Sequence, residues 1–136
     1  MLKRTVARGP NGFVVLVDSI TQLSADDAGA VVISGSHGGS SSGEVALQFA
    51  LAAVLFNDAG VGKDGAGIAA LDMLQARGTP AGAIAHTSGR IGDAQDMWEH
   101  GVISHANDAA KRVGLVAGVA VRSAVTALMA DATRRA

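Results

Sequence analysis

Four short stretches of the chain are apolar almost without interruption: Phe13–Asp18, Ala30–Gly35, Ala53–Asn57 and Gly82–Thr87. Strands with one wet face alternate apolar and polar residues. Continuous runs suit strands buried on both faces, as in a parallel sheet. Three of the four contain adjacent β-branched or aromatic residues, which favour a pleated, packed backbone. Between them the spacing turns helical. A segment opening at Ser42-Gly43-Glu44 and running through Ala50 carries Val45, Phe49 and Ala52 at helical intervals. Asp64 to Arg77 carries Ile68, Leu71 and Leu74, and Gly78-Thr79-Pro80 stops it. Asp93 opens a short helix that Gly101 ends. Ser104 is expected to cap another, reaching Val113 with Gly114 beyond it, and a last helix spans Val119–Arg134. The link from the first run to the second holds at most one helical turn.

This alternation predicts an α/β fold: a three-layer sandwich around a mostly parallel sheet of four to five strands, Rossmann/flavodoxin-like in plan. The short first link leaves open a mixed sheet in which the first two strands run antiparallel. Residues 1–12 are polar, carry a Gly-Pro-Asn-Gly turn at 9–12, and read as an N-terminal arm. Residues 13–136 read as a single domain.

Polar residues gather where each run ends. Asp18 and Ser19 follow the first. "SGSHGGSSSG" follows the second, Asn57 and Asp58 the third, and "HTSGRIGD" the fourth. In a parallel sheet those loops share the carboxyl edge of the strands, where open α/β sheets bind ligands. Three residues there suit acid–base chemistry: His37, Asp58 and His86. A carboxylate can orient an imidazole and stabilise its protonated form. A supporting set suits a polar, anionic substrate: Ser36, Gly38, Gly39, Ser40, Asn57, Lys63, Ser88, Arg90 and Asp93. Arginine offers a bidentate fork, and glycine-flanked amides can hold an oxyanion. The plainer roles are a helix cap for Asp93, solvation for Lys63 and a place at the positive end of a helix for Asp64. Trp98 and His100 either cover the site or fill a subunit interface.

"GVGKDG" at Gly60–Gly65 fits the G-x-G-x-x-G string of dinucleotide sites and sits between a strand and a helix. No acidic residue follows about 20 positions on, and the strand is the third rather than the first. As a phosphate loop it also fails, because Asn57 stands where the first glycine belongs and Asp64 where Ser or Thr belongs. No redox cofactor and no metal are expected.

Composition narrows the field further. The 136 residues carry a net charge of −1, which gives no field to draw nucleic acid or an anionic membrane. Cysteine is absent, which excludes disulfides, thiolate catalysis and Cys-ligated zinc. The longest late apolar run, Val113–Val121, is far short of the ~20 residues a membrane span needs. Phe13–Val17 is too short for a signal core, so a cytoplasmic location is expected. Hydrophobic residues make up 49% but aromatics only 3%, so the core is built of small side chains and homo-oligomerisation would add buried area. The expectation is an enzyme of hydrolase, lyase or isomerase type acting on a small polar metabolite. The alternative is a non-catalytic binding or regulatory domain for a phosphate- or carboxylate-bearing ligand. A third possibility is a scaffold that uses its last helix.

Overall fold

A computed structural model describes residues 1–130. It is an α/β fold with a mixed six-stranded sheet. The strands are β1 (Lys3–Gly9), β2 (Gly12–Val17), β3 (Val31–His37), β4 (Ala53–Asn57), β5 (Ala81–Ile84) and β6 (Ile103–Ala106). The helices are α1 (Ser40–Ala46), α2 (Ala69–Ala76), α3 (Ala94–His100), α4 (Asp108–Arg112) and α5 (Val121–Ala130).

The strands lie side by side in sequence order. β2, β3, β4 and β5 pair in parallel, while β1 and β6 close the two edges antiparallel. The order never reverses inside the sheet, so the central crevice of a Rossmann- or flavodoxin-like sheet has no counterpart. The first two predicted strands, now β2 and β3, run parallel despite their short link. Two 3₁₀ turns, at Ile20–Gln22 and Ala25–Asp27, carry the chain back between them.

The apolar runs are continuous because each strand feeds two cores. Val14, Leu16, Ile33 and Leu55 point to one face, against Met97 and Trp98 of α3 and Val125 of α5. Val15, Val17, Val32, Val54 and Phe56 point to the other, against Ala46 of α1 and Leu71 and Leu74 of α2. Phe56 is wholly buried, worth roughly 1.5–3 kcal/mol relative to an exposed ring.

Several expectations shift. Residues read as an arm form β1, whose amides and carbonyls pair with β2 through the turn at Pro10-Asn11. The helix expected from Ser104 is instead β6, then α4 capped by Asn107, whose side chain accepts the Ala110 N–H. The last helix begins at Val121, and residues 131–134 of its predicted span lie outside the described residues. Asp93 does cap α3, accepting the Asp96 N–H, and Gly101 ends it. Among the described residues no helix is long and apolar enough to cross a membrane.

Candidate functional site

The carboxyl ends of β2 to β5 share one edge. At its centre β4 ends in two adjacent polar residues that take different places. Asn57 is fully buried and ties loops together: its Nδ2 donates to Gly89 O at 2.9 Å and its Oδ1 accepts the Ala59 N–H at 2.9 Å. Asp58 is also buried, at 5% exposure, yet its carboxylate does not lie bare. Oδ1 accepts the Gly60 N–H at 2.8 Å, the His86 N–H at 3.1 Å and lies 3.0 Å from His86 Nδ1. Oδ2 accepts the Ser104 hydroxyl at 2.7 Å. Burial pushes this carboxyl up, but the donors from Gly60, Ser104 and His86 outweigh it and hold Asp58 below the usual carboxylate range.

The backbone around Asp58 departs from ordinary geometry. Ala59, Gly60, Val61, Gly62, Asp64 and Gly65 all have positive φ. Three of these are not glycine, and for a β-branched residue such as Val61 (φ 69°) the left-handed region is unfavourable. The loop is held there by Val61 N–H to Asp58 O and Gly67 N–H to Val61 O, each at 2.6 Å. Such strain persists only where surrounding structure over-determines it, and it concentrates at functional sites. Asp64 lies in this left-handed stretch, five residues before α2 begins, so the helix-end role expected of it does not arise.

His86 stands two residues past the end of β5. Because an ionised carboxylate only accepts, its contact with Asp58 places a proton on His86 Nδ1. The Nε2 lone pair of the neutral ring is then directed away from the carboxylate, and the side chain is 52% exposed. This is the arrangement in which a carboxylate fixes the tautomer of a histidine base. The ring lines a depression of about 350 Å³ together with Ser88, Arg90, Ile91 and Asp96. Arg90 is exposed there, and its main-chain N–H is held by Asp96 Oδ2 at 2.8 Å. Asp96 sits below its usual range because of that N–H and the His100 ring, 3.0 Å away.

The other predicted site residues are mostly engaged elsewhere. His37 stands one strand over, exposed, and its Nδ1 accepts the Gly39 N–H at 3.0 Å rather than meeting Asp58. That contact spends the Gly39 amide, and the Gly38 amide is spent on Asn57 O at 3.1 Å, so this pair is not open for an oxyanion. Both glycines stand close to neighbours: a Cβ on Gly38 would lie 3.0 Å from Gly67 O, and one on Gly39 would displace the exposed His37 ring. Ser36 Oγ accepts the Ile20 N–H at 3.0 Å. Ser88 Oγ donates to Ala85 O and accepts the Val102 N–H. Asn57 and Asp93 are structural, as a loop tie and a helix cap. Ser40 and Lys63 are exposed, at the start of α1 and within the left-handed loop. Trp98 is a core residue with the Arg122 guanidinium 5.7 Å from its ring centre, and His100 pairs with Asp96.

Two residues linked to Asp58 lie outside the expected site: Ser104, expected as a helix cap, and His105, expected to be structural, both of which sit in β6 where the pattern predicts a helix. The imidazole Nδ1 of His105 lies 3.0 Å from Ser104 Oγ. Both line a cavity of about 530 Å³ between β6 and α2, with Asp64, Asp72 and Lys111. The β-branched pair Val102-Ile103 directly after Gly101 was the signal available for a strand. Among the described residues no three His, Asp or Glu side chains are grouped so as to hold a metal ion. No protein-family model, curated protein or solved structure matches the chain.

Proposed function

We propose that this protein is an enzyme acting by acid–base chemistry on a small, anionic metabolite, with Asp58 and His86 as the working pair. The observation that carries this reading is the Asp58–His86 contact itself: a buried, multiply hydrogen-bonded carboxylate orients a half-exposed imidazole. In this role His86 Nε2 takes a proton from the substrate or returns one, and Asp58 stabilises the imidazolium without itself taking up the proton. Arg90, on the same depression, supplies a fork for the substrate's carboxylate or phosphate. Of the two histidines expected from the sequence to act, this reading keeps His86 and leaves out His37. The reading borrows from the Rossmann/flavodoxin-type plan only its rule that ligands meet the carboxyl ends of parallel strands. A hydrolase, lyase or isomerase all fit this set of groups.

The test is a thermal-shift screen of small carboxylates and phosphate esters, followed by product analysis of each hit. For a turned-over hit, His86→Ala lowers kcat by about 10²–10⁴-fold with the fold intact, and Arg90→Ala raises KM. Wild-type turnover by His86→Ala refutes the mechanism. Stabilisation by an anion without any product marks a binding or regulatory domain instead.

A further inference from the structure

We infer that Ser104 and His105 are positioning residues for the Asp58–His86 pair, with the His105 tautomer deciding where the Ser104 hydroxyl proton points. This rests on the proposed role of the pair, and it reaches a second cavity that the acid–base mechanism does not use.

The two carboxylate oxygens of Asp58 are not held alike. Oδ1 has three N–H partners, from Gly60 and from the main chain and ring of His86. Oδ2 has, among the described residues, only the Ser104 hydroxyl. Ser104 therefore sets the rotation of the carboxylate, and so the line along which Oδ1 meets His86 Nδ1. That hydroxyl has one proton and three neighbours: Asp58 Oδ2 at 2.7 Å, His105 Nδ1 at 3.0 Å and Ala83 O at 3.3 Å. With a proton on His105 Nδ1, the imidazole donates to Ser104 Oγ. The hydroxyl then gives its own proton to the carboxylate, which is both the nearer acceptor and the charged one. With the His105 proton on Nε2 instead, the bare Nδ1 competes with the carboxylate for the Ser104 proton and weakens the hold on Oδ2. The hydrogen bond from Ser104 is also one of the contacts that hold the Asp58 carboxyl low.

His105 is well placed to be addressed from outside the pair. Its ring lines the 530 Å³ cavity, whose charged groups are Asp64 of the left-handed loop, Asp72 of α2 and Lys111 of α4. His86, facing Arg90 and Asp96, lines a different depression. One buried carboxylate thus stands between two histidines that open onto separate cavities, bound to one directly and to the other through a hydroxyl. A group in the larger cavity that donates to His105 Nε2 favours the tautomer that holds Asp58 in line. An acceptor there favours the other.

The test needs no substrate, so its failure is separable from that of the enzymatic reading. In the full chain with ¹⁵N-labelled histidine, long-range ¹H–¹⁵N correlation at neutral pH reads which nitrogen of each ring is protonated. We expect Nδ1–H at both His86 and His105. Carboxyl ¹³C titration of Asp58 reads the second link. Ser104→Ala moves the Asp58 midpoint up by about one pH unit, the equivalent of one hydrogen bond to a charged group, and His105→Phe, which removes the donor to Ser104 Oγ but leaves the hydroxyl facing Oδ2, moves it up by a smaller amount. Ser104→Thr, which keeps the hydroxyl, and His105→Asn, whose amide can replace the Nδ1 donor, leave it in place. Should His105→Phe fail to fold, His105→Gln serves, because its amide takes the Nε2 position. A protonated Nε2 at His105, or an Asp58 midpoint indifferent to Ser104→Ala, overturns the proposal.

Discussion

Replacing Asp58 by Asn keeps the shape of the side chain and removes its charge. In the native protein the carboxylate accepts from Gly60, from the main chain and ring of His86, and from Ser104, while nearly buried. Hydrogen bonds to a charged acceptor contribute about 1.5–3 kcal/mol against about 0.5–1.5 for neutral ones, so losing the charge weakens each of these by about 1 kcal/mol. The amide can still accept through one oxygen, and its NH₂ group forces the Ser104 hydroxyl to reverse. Against this, the variant no longer pays the cost of keeping a charge out of water. The net expectation at pH 7 is a loss of about 1–3 kcal/mol, a drop in Tm of several degrees for a domain of this size.

The sign of the pH dependence follows from the direction of the Asp58 shift. Its carboxyl titrates below the usual range in the folded state and near ~3.9 when unfolded. The charge therefore contributes stability that is complete above pH ~4 and disappears as the pH falls through the folded value. Urea denaturation of wild type and Asp58→Asn at pH 7 and at pH 3 measures this directly, the midpoint being the readout at unchanged slope. The wild-type advantage narrows in acid. Equal midpoints at pH 7, or a gap that persists undiminished well below the folded midpoint of Asp58, would refute the reasoning about how this carboxylate is held.

Two further perturbations address the loop that carries Asp58. A Cβ on Gly67 would fall 2.6 Å from Asp58 O and 2.7 Å from Val61 O, both backbone atoms that cannot move alone. Gly67→Ala should therefore cost about 1–3 kcal/mol as an overpacked site and disturb the His86 ring resonances, and a silent spectrum would contradict the close packing. Val61→Gly removes a β-branched residue from the left-handed region. The relief of about 1–2 kcal/mol exceeds the ~0.5–1 kcal/mol entropic cost of glycine, so the midpoint of chemical denaturation should rise slightly; a fall would show that the Val61 side chain is worth more than the strain.

Much of this molecule was legible in its pattern of apolar residues. The strands β2, β3, β4 and β5 announced themselves as the runs at 13–18, 30–35, 53–57 and 82–87 because burial on both faces leaves few polar positions within them, although the last run extends three residues past the end of β5 at Ile84. Capping at Asp93 and the stop at Gly78-Thr79-Pro80 were local chemistry, and they fell where expected. The two edge strands were not legible, for a common reason. An edge strand has one partner and at least one wet side, so β1 reads as a polar, basic arm and β6 as four residues of mixed character. Missing β6 also hid Ser104 and His105, whose relation to Asp58 comes from a sheet register spanning 46 residues of chain. No local spacing encodes that.

The same limit explains why His37 and His86 looked interchangeable in sequence. Both stand at the carboxyl end of a parallel strand, and both follow an apolar run. What separates them is which neighbour the ring finds. His37 has a glycine two residues on, whose amide satisfies Nδ1 locally. His86 is instead joined to the β4 loop by its own main-chain N–H, which donates to Asp58 Oδ1 and draws the ring onto the same oxygen. A histidine held twice to one carboxylate is pre-organised in tautomer and direction, whereas a histidine folded onto its own loop has its basic Nδ1 occupied. That difference in hydrogen bonding, rather than residue type or position along the strand, is why the proposed acid–base role goes to His86 and not to His37.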